Sequence, residues 1–224
     1  MILAIETSTE VCSVALQIAP GKIDEKREIG KAIHSDMMFR FVGQLLTEYD
    51  ISPDQLSEVL LSKGPGQYTG LRIGAAGVKG FLMGKNIPLA TLGTLEGFAG
   101  AFVGENYPSG TLHAVIDARR KHLYHQTFKF SGDSLGAGRP AILTIDDIDR
   151  MLEPGDTIIG TGLERLSIFG NGVYNFYDKD YISAINLIRA RNDSRFKELF
   201  EDTDPAQFEP EYLTTSQVNN TQTS

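Results

Sequence analysis

The 224-residue chain has one cysteine, Cys12, and no tryptophan. A single cysteine excludes an internal disulfide and a multi-thiolate zinc site, and this usage is typical of a reducing compartment. The thiol itself is most simply a small buried side chain on a strand. No apolar run approaches the ~18 residues that span a bilayer, and no cationic signal region precedes Glu6. These absences predict a cytoplasmic protein.

Positive charge is also scarce. The chain has 21 lysine and arginine residues against 29 aspartate and glutamate residues, which gives a formal net charge of -8. A protein that binds nucleic acid on its own is expected to carry the opposite balance. We therefore expect any contact with RNA to depend on a partner.

Hydrophobic patterning predicts an α/β protein that begins with a mixed sheet. The first half of the chain reads as strand, strand, strand, helix, strand, helix, strand, helix. The predicted segments are strands at residues 2–5, 11–18 and 22–29, a helix capped by Ser35 or Asp36 that reaches Tyr49, a strand at 59–61, a helix after a glycine-rich loop at 64–70, a strand at 87–91 and a helix at 94–103. This order places helices on the faces of the sheet.

A polar stretch at residues 104–110, with Pro108 and two glycines, predicts a lobe boundary. The order of elements then restarts with strands at 112–117 and 123–130. A helix capped by Thr144, a strand at 157–159 and helices near 179–190 and 194–200 complete it. We predict a first lobe at residues 1–107, a smaller second lobe at 108–213 and a disordered polar tail at 214–224.

Two turns are candidate cofactor-binding sites. Glu6, Thr7, Ser8 and Thr9 occupy the turn of the first predicted hairpin. Their hydroxyls and amides can cradle a phosphate while the carboxylate holds magnesium through water, although such residues are also ordinary in turns. Asp117 ends the first strand of the second lobe and is the corresponding candidate there.

Arg119 and Arg120 follow Asp117 in the turn of the second hairpin. Paired arginines can hold a phosphate or a carboxylate through bidentate hydrogen bonds. Charge pairing within the hairpin is the simpler interpretation, and the sequence leaves both open.

The segment at residues 63–72 is the most unusual in the chain, with three glycines and a proline between a strand and a helix. It lacks the Gly-Lys-Ser/Thr ending of a P-loop, so a Walker-type nucleotide site is not predicted. The helix after this segment carries Gly70, Gly74 and Gly77, and each helical glycine costs about 1 kcal/mol relative to alanine. A close neighbour must offset this cost: the chain's own sheet, the preceding helix or another subunit.

No catalytic constellation is evident in the sequence. The four histidines show no His-Glu-x-x-His pattern, and there is no Gly-x-Ser-x-Gly elbow. We therefore predict neither catalytic residues nor a metal site.

Four motifs, in order along the chain, carry a resemblance to a known family. They are ILAIETSTEVCSVAL at residues 2–16, GPGQYTGLRIG at 64–74, TLEGFA at 94–99 and IDARRKHLY at 116–124. Together they resemble the bacterial TsaB family, also called YeaZ, a subunit of the machinery that makes threonylcarbamoyladenosine next to the tRNA anticodon. Beyond residue 133, only Gly160-Thr161-Gly162 and Glu211-Tyr212-Leu213 support the resemblance.

The resemblance implies an actin-like ATPase fold, which is ribonuclease H-like, with two lobes that each have a mixed sheet flanked by helices. It also implies a non-catalytic member. The catalytic relative, TsaD, binds its metal with a His-x-Glu-x-His helix, and Thr94 and Phe98 stand here where the two histidines would be. Neither side chain can replace imidazole as a metal ligand.

The family role implied is that of a scaffold that binds and activates TsaD. Implied partners are a TsaD-like catalytic subunit, a TsaE-like ATPase, a second copy when the protein is alone, and tRNA only through the complex. No tightly bound cofactor is implied, and ATP with magnesium is expected only within the complex. The interface implied by the family's two helices comprises Met37, Met38, Phe41, Leu45, Gly70, Arg72, Gly74, Gly77 and Lys79.

The scaffold hypothesis predicts that Gly74→Leu or Phe41→Glu abolishes co-purification with TsaD and leaves the fold intact. Three alternatives remain open: an independent actin-like ATPase or small-molecule kinase, a metallopeptidase-like protein and a direct tRNA binder. Missing metal histidines disfavour the second, and the acidic net charge disfavours the third.

Overall fold

A computed structural model describes residues 1–104 and 108–213. The first half of the chain contains β1 (Ile2–Glu6), β2 (Val11–Ala19), β3 (Lys22–Ile29), α1 (His34–Glu48), β4 (Glu58–Ser62), α2 (Tyr68–Leu82), β5 (Leu89–Leu92) and α3 (Thr94–Ala99). The second half contains β6 (Leu112–Asp117), β7 (His122–Ser131), β8 (Ser134–Ala137), β9 (Ala141–Thr144), α4 (Ile145–Met151), β10 (Thr157–Gly160), β11 (Asn175–Tyr177), α5 (Ala184–Arg191) and β12 (Glu201–Thr203).

These strands form two mixed sheets with the same core topology. The first sheet has the order β12-β5-β4-β1-β2-β3, and the second has the order β11-β10-β6-β7-β8, with β9 also paired to β7. In each sheet an antiparallel hairpin, β1–β2 or β6–β7, is followed by two parallel strands beside its first strand. The predicted α/β class with two mixed sheets and flanking helices is confirmed.

Three hydrophobic clusters hold the layers together. One lies between the first sheet and helices α1 and α2, and includes Met38, Leu45 and Val78. A second fills the space between the two sheets with residues of α3 and α5, such as Phe98 and Leu187. The third packs α4 on the outer face of the second sheet. The helices therefore cover the sheets because their apolar faces close these clusters.

The end of the chain returns to the first sheet. Strand β12 pairs antiparallel with β5, with Asp202 opposite Ala90. Helix α5 also packs against β1 and β2. The predicted division at residues 107 and 108 falls at the edge of the undescribed residues 105–107 and stays a prediction, but the part of the chain after β11 adds a strand to the first sheet. The predicted tail at 214–224 lies outside the described residues.

Several predicted boundaries are wrong. Helix α1 begins at His34 after Ile33, without a side-chain cap, so Ser35 and Asp36 lie inside its first turn and do not cap it. Helix α3 ends at Ala99 and continues as a 3-10 turn at Gly100–Phe102. The backbone of Asn186 approaches Gly100 so closely that a Cβ there would clash with it.

The second half departs further from the prediction. A 3-10 turn at Lys179–Tyr181 precedes α5, because Asp178 and Ser183 each cap a separate start through a side-chain hydrogen bond. The segment Ser194–Leu199 is likewise 3-10. The prediction omitted the short strands β8, β9, β11 and β12. The helix cap at Thr144 is confirmed, since its side chain accepts from the Asp147 amide.

None of the helices within residues 1–104 and 108–213 has the length and hydrophobicity to cross a membrane.

Candidate functional site

The turn between β1 and β2 contains the first group of predicted cofactor ligands, and all four are buried. The Glu6 carboxylate accepts hydrogen bonds from the Ser8 amide at 2.6 Å and from the hydroxyls of Ser8 and Ser62. The Thr7 hydroxyl donates to the Gly70 carbonyl at 3.0 Å, and the Thr9 hydroxyl accepts from the Val11 amide at 3.2 Å. Each polar side chain of the turn is thus satisfied by the chain itself.

The glycine-rich loop lies directly over this turn. The Gln67 amide donates to the Ser8 carbonyl at 2.6 Å. A Cβ at Gly66 would clash with Ser8, and a Cβ at Gly70 would clash with the Thr7 carbonyl. Two glycines are therefore required because the loop and the turn touch through their backbones.

Burial raises the pKa of the Glu6 carboxyl, and the hydrogen bonds from Ser62 and Ser8 only partly oppose that rise. Desolvation disfavours the charged form, so this carboxyl is less readily ionised than an exposed one. A carboxyl that is buried, reluctant to ionise and already hydrogen-bonded through both oxygens is poorly suited to hold a magnesium ion.

The corresponding turn of the second sheet, between β6 and β7, is exposed. The Asp117 carboxylate accepts from the Arg119 amide at 2.7 Å and forms an ion pair with Arg165. The Thr161 hydroxyl accepts from the Asp117 amide at 3.1 Å. Arg119 and Arg120 both have positive φ, 70° and 53°, a conformation that costs a non-glycine residue free energy. The ion-pair partner of the Asp117 carboxylate is thus Arg165, whereas Arg119 contacts it through its backbone amide.

A cleft of about 510 Å³ separates the two turns. Its lining combines both charges and includes Thr9, Glu10, Lys31, Gln67, Asp117, Arg119, Thr161, Glu164, Asp178 and Lys179. Lys179 and Glu10 form an ion pair at 3.0 Å that joins the two sides of the cleft. Of the candidate cofactor residues, the structure brings Thr9 and Asp117 to this cleft and withdraws Glu6, Thr7 and Ser8 beneath the loop.

Helix α3 holds the residues that stand where a catalytic relative would place metal ligands. Thr94 and Phe98 are buried, and the Thr94 hydroxyl has no hydrogen-bond partner among the described residues. Glu96 accepts from the Gly93 amide at 3.1 Å and from Gln126 at 3.4 Å, and burial raises the pKa of its carboxyl. Within residues 1–104 and 108–213, no group of three or more His, Cys, Asp or Glu side chains is arranged to hold a metal ion.

The predicted partner interface is mostly internal. Six of its nine residues are buried in the chain's own core: Met38, Phe41, Leu45, Gly70, Gly74 and Gly77. Only Arg72 is exposed, and Met37 and Lys79 are half-buried. The expectation that the glycine-rich face is turned to a partner is therefore corrected.

That face packs against the chain's own turn and α1. A Cβ at Gly74 would clash with the Thr7 hydroxyl, and one at Gly77 would clash with Met38. The neighbour that the glycines require is thus internal. Consequently we expect Gly74→Leu and Phe41→Glu to disrupt the fold instead of leaving it intact.

Two arrangements were missed by sequence reasoning. His113 on β6 lies 2.9 Å from His125 on β7 and 3.2 Å from Asp156, and all three are buried. Burial lowers the pKa of His113, and burial together with His113 lowers that of His125 to about 3. His125 and Asp156 follow His113 by 12 and 43 positions. No local spacing could therefore have revealed this chain of hydrogen bonds.

The second is a buried lysine at the entrance to the glycine-rich loop. Lys63 pairs with Glu201 at 2.7 Å and with Glu211 at 2.8 Å. Burial alone would lower the pKa of Lys63, but the two carboxylates outweigh it and raise that pKa. The partners come from the last described part of the chain, far away in sequence.

Two similar sheets whose hairpin turns face one cleft define an actin-like ATPase fold. The structure titled "YeaZ from Pseudomonas aeruginosa" has this fold: its TM-score is 0.77 at 24% sequence identity, over 95% of this chain and 99% of that chain. The family model described as "TsaD: tRNA N6-adenosine threonylcarbamoyltransferase" matches residues 28–183.

Two curated relatives identify more specifically the family to which the chain belongs. The Escherichia coli "tRNA threonylcarbamoyladenosine biosynthesis protein TsaB" is 33% identical over 166 residues, which are 74% of this chain and 67% of the relative. The Bacillus subtilis protein of the same name is 33% identical over 134 residues, 60% of this chain and 57% of the relative. The chain belongs to the TsaB/YeaZ family. Its matched parts span about half to two thirds of the curated relatives.

Proposed function

We propose that the protein is a non-catalytic accessory subunit that binds and activates a TsaD-like enzyme in forming threonylcarbamoyladenosine on tRNA next to the anticodon. Its relatives are named as proteins of tRNA threonylcarbamoyladenosine biosynthesis, and these names support a role in that pathway. One observation carries the accessory role: the polar groups of the β1–β2 turn are consumed by internal hydrogen bonds and covered by the glycine-rich loop. We place this activity in the cytoplasm, and tRNA contacts arise through the complex.

The partner surface in this proposal is the exposed face of α1 and α2. Phe39 of α1 and Tyr68 of α2 are 50% and 55% exposed, and Met83, directly after α2, is 79% exposed. Gly43 and Gly80 have open space where a Cβ would stand, so a partner's helix can approach closely. The same face accounts for a homodimer when the protein is alone. A TsaE-like ATPase would join the assembled complex.

Co-purification with the TsaD-like protein tests the proposal. We expect Phe39→Glu and Met83→Glu each to weaken the complex about tenfold or more, since a buried unpaired charge is costly at an interface. Met151→Glu, which alters a 44% exposed methionine at the end of α4, is the matched control. Product formation on tRNA by the TsaD-like enzyme should fall in parallel with binding. If the wild-type protein neither binds nor stimulates that enzyme, the proposal is wrong.

The cleft favours one alternative, an independent actin-like ATPase or small-molecule kinase, because about 510 Å³ accommodates a nucleotide. We propose instead that ATP and magnesium are held only within the complex, since Glu6 is buried and both of its oxygens already accept hydrogen bonds. Calorimetric titration of the isolated protein with magnesium-ATP distinguishes the two. Tight stoichiometric binding would favour the ATPase.

A further inference from the structure

An exposed arginine of α2 is held between two tyrosines. The Arg72 guanidinium lies 4.2 Å from the centroid of the Tyr68 ring, and its Nε is 3.4 Å from the Tyr212 hydroxyl. The two rings are themselves 5.4 Å apart. Tyr68 is 55% exposed and Tyr212 is 37% exposed. Arg72 is thus oriented by aromatic contacts on the surface and not by the core.

Tyr212 belongs to a segment, residues 208–213, which we name the C-terminal strap. Phe208 is buried in the same cluster as Val78 and Leu82 of α2. The Glu211 amide donates to the Lys63 carbonyl at 2.7 Å, and its carboxylate pairs with the Lys63 ammonium. These contacts fix the strap along α2, so the buried anchor points of the strap set the position of Tyr212 beside Arg72.

The Arg72 guanidinium has no direct ion pair in the described part of the chain, and Glu209 attracts it only from beyond ion-pairing distance. Among residues 1–104 and 108–213, no carboxylate lies within ion-pairing distance of its guanidinium, and the nearby Glu209 pairs with Lys79 at 3.3 Å. The chain as a whole has a net charge of -8, so acidic side chains are plentiful elsewhere. The residues after the strap, 214–224, contain no aspartate or glutamate. The described residues therefore leave Arg72 without an ion-pair partner, and a carboxylate of another molecule would complement it.

We propose that Tyr68, Arg72 and Tyr212 form a carboxylate-binding anchor that receives an acidic side chain of the TsaD-like partner. This inference rests on the proposed function and adds the C-terminal strap to the partner surface. A guanidinium that is stacked and pre-oriented presents its remaining N–H groups as a fork that matches a carboxylate. Arginine and tyrosine are also the residues that most often anchor interfaces. The strap contributes by limiting the freedom of Arg72 before binding.

The test measures the affinity of the full chain for the purified TsaD-like protein at two salt concentrations. We expect Arg72→Glu to weaken binding about 100-fold, because it sets two carboxylates against each other. Arg72→Lys keeps the charge but loses the fork and should weaken binding about tenfold. Tyr212→Ala should also weaken binding about tenfold, and Tyr212→Phe, which removes the hydroxyl that accepts from the Arg72 Nε but keeps the ring beside Tyr68, should weaken it by a smaller factor.

Arg189→Glu is the matched control, because Arg189 is an exposed arginine on α5, on the opposite face of the first sheet. It makes the same charge change and should leave affinity unchanged. A partner Asp→Arg or Glu→Arg exchange that restores binding to Arg72→Glu would identify the carboxylate. Thermal melts confirm that each variant is folded.

Two outcomes overturn the inference while the proposed function stands. If wild-type protein binds and Arg72→Glu binds within twofold of it, the anchor does not exist. If Arg72→Glu alters only the self-association of the chain, the occupant is a second copy. If wild-type protein does not bind the partner at all, the proposed function fails first.

Discussion

The two hairpin turns that face the cleft have the same place in their sheets and opposite environments. The β1–β2 turn, with Glu6 at its start, is buried, and its hydroxyls are bonded within the chain. The β6–β7 turn is exposed, and Asp117 reaches the cleft with Arg165 as its partner. The difference lies in the segment after the neighbouring parallel strand. After β4 a glycine-rich loop covers the first turn, whereas after β10 the turn at Gly160–Gly162 leaves the second one open.

The comparison shows that equivalent topology does not imply equivalent chemistry. A loop that needs glycine at Gly66 and Gly70 to touch a backbone turns a cleft-facing position into part of the core. Of the two turns beside the cleft, the β1–β2 turn is then largely part of the core, and the β6–β7 turn remains exposed to a ligand. Substitutions at specific residues can test this difference between the buried turn and the exposed turn.

The largest effect is expected where the loop and the first turn touch. Gly70→Ala places a methyl group against the Thr7 carbonyl and should lower the free energy of unfolding by about 3 kcal/mol. Gly80→Ala in the same helix meets open space and should raise it by up to about 1 kcal/mol. Chemical denaturation measures both. Equal effects of the two variants would show that the turn is not tightly covered.

The pH dependence of stability should have opposite signs in the two sheets. The raised pKa of Glu6 means that its contribution is present below the unfolded value near 4.5 and is lost as pH rises through its folded pKa. The lowered pKa of His125, about 3, means that its contribution is present above the unfolded value near 6.5 and is lost as pH falls toward 3. One pKa unit corresponds to about 1.4 kcal/mol, so the shift of His125 is large enough to measure.

Variants separate the two contributions. His125→Gln retains a donor for His113. This variant should lose less Tm than the wild type as pH falls from about 6.5 to 4.5. Glu6→Gln retains acceptors for Ser8 and should remove the loss of Tm as pH rises above about 4.5. Tm is measured for the wild type and both variants across this range. Curves that stay parallel to the wild type would contradict the assignment of either group.

The smallest effect is expected at the ion pair that joins the two sides of the cleft. Lys179 and Glu10 are 46% and 30% exposed, so their coupling should stabilise the fold by less than about 1 kcal/mol. A double-mutant cycle with Glu10→Gln and Lys179→Met measures that coupling, and 1 M salt should abolish it. A coupling free energy well above this value would mean that the ion pair is a main contact holding the two sides of the cleft together.

Much of the fold could be predicted from local patterns. Alternating apolar residues located β2, β6 and β7, and helical spacing located α1 and α2, because local burial patterns have the period of the element. Short strands such as β11 and β12 could not be found this way, since each has only three residues and forms through pairing with a distant strand.

The candidate site was predicted less well for the same reason. The residue types at the two turns were identified correctly, but their exposure was not, since the loop that covers Glu6 lies about 60 positions further along the chain. The predicted interface residues all lie on α1 and α2, but most lie on the inner face of these helices, because the glycines accommodate the chain's own atoms.

The amino-acid sequence by itself determined the α/β class, the repeated hairpin and the family, because these depend on periodicity and on short motifs in order. Only the tertiary structure decided which glycines and carboxylates are internal and which side chains remain for a partner. Contacts such as Lys63 with Glu211, or Arg72 with Tyr212, join residues about 140 positions apart. Their free energy depends on burial and distance, which no local pattern specifies.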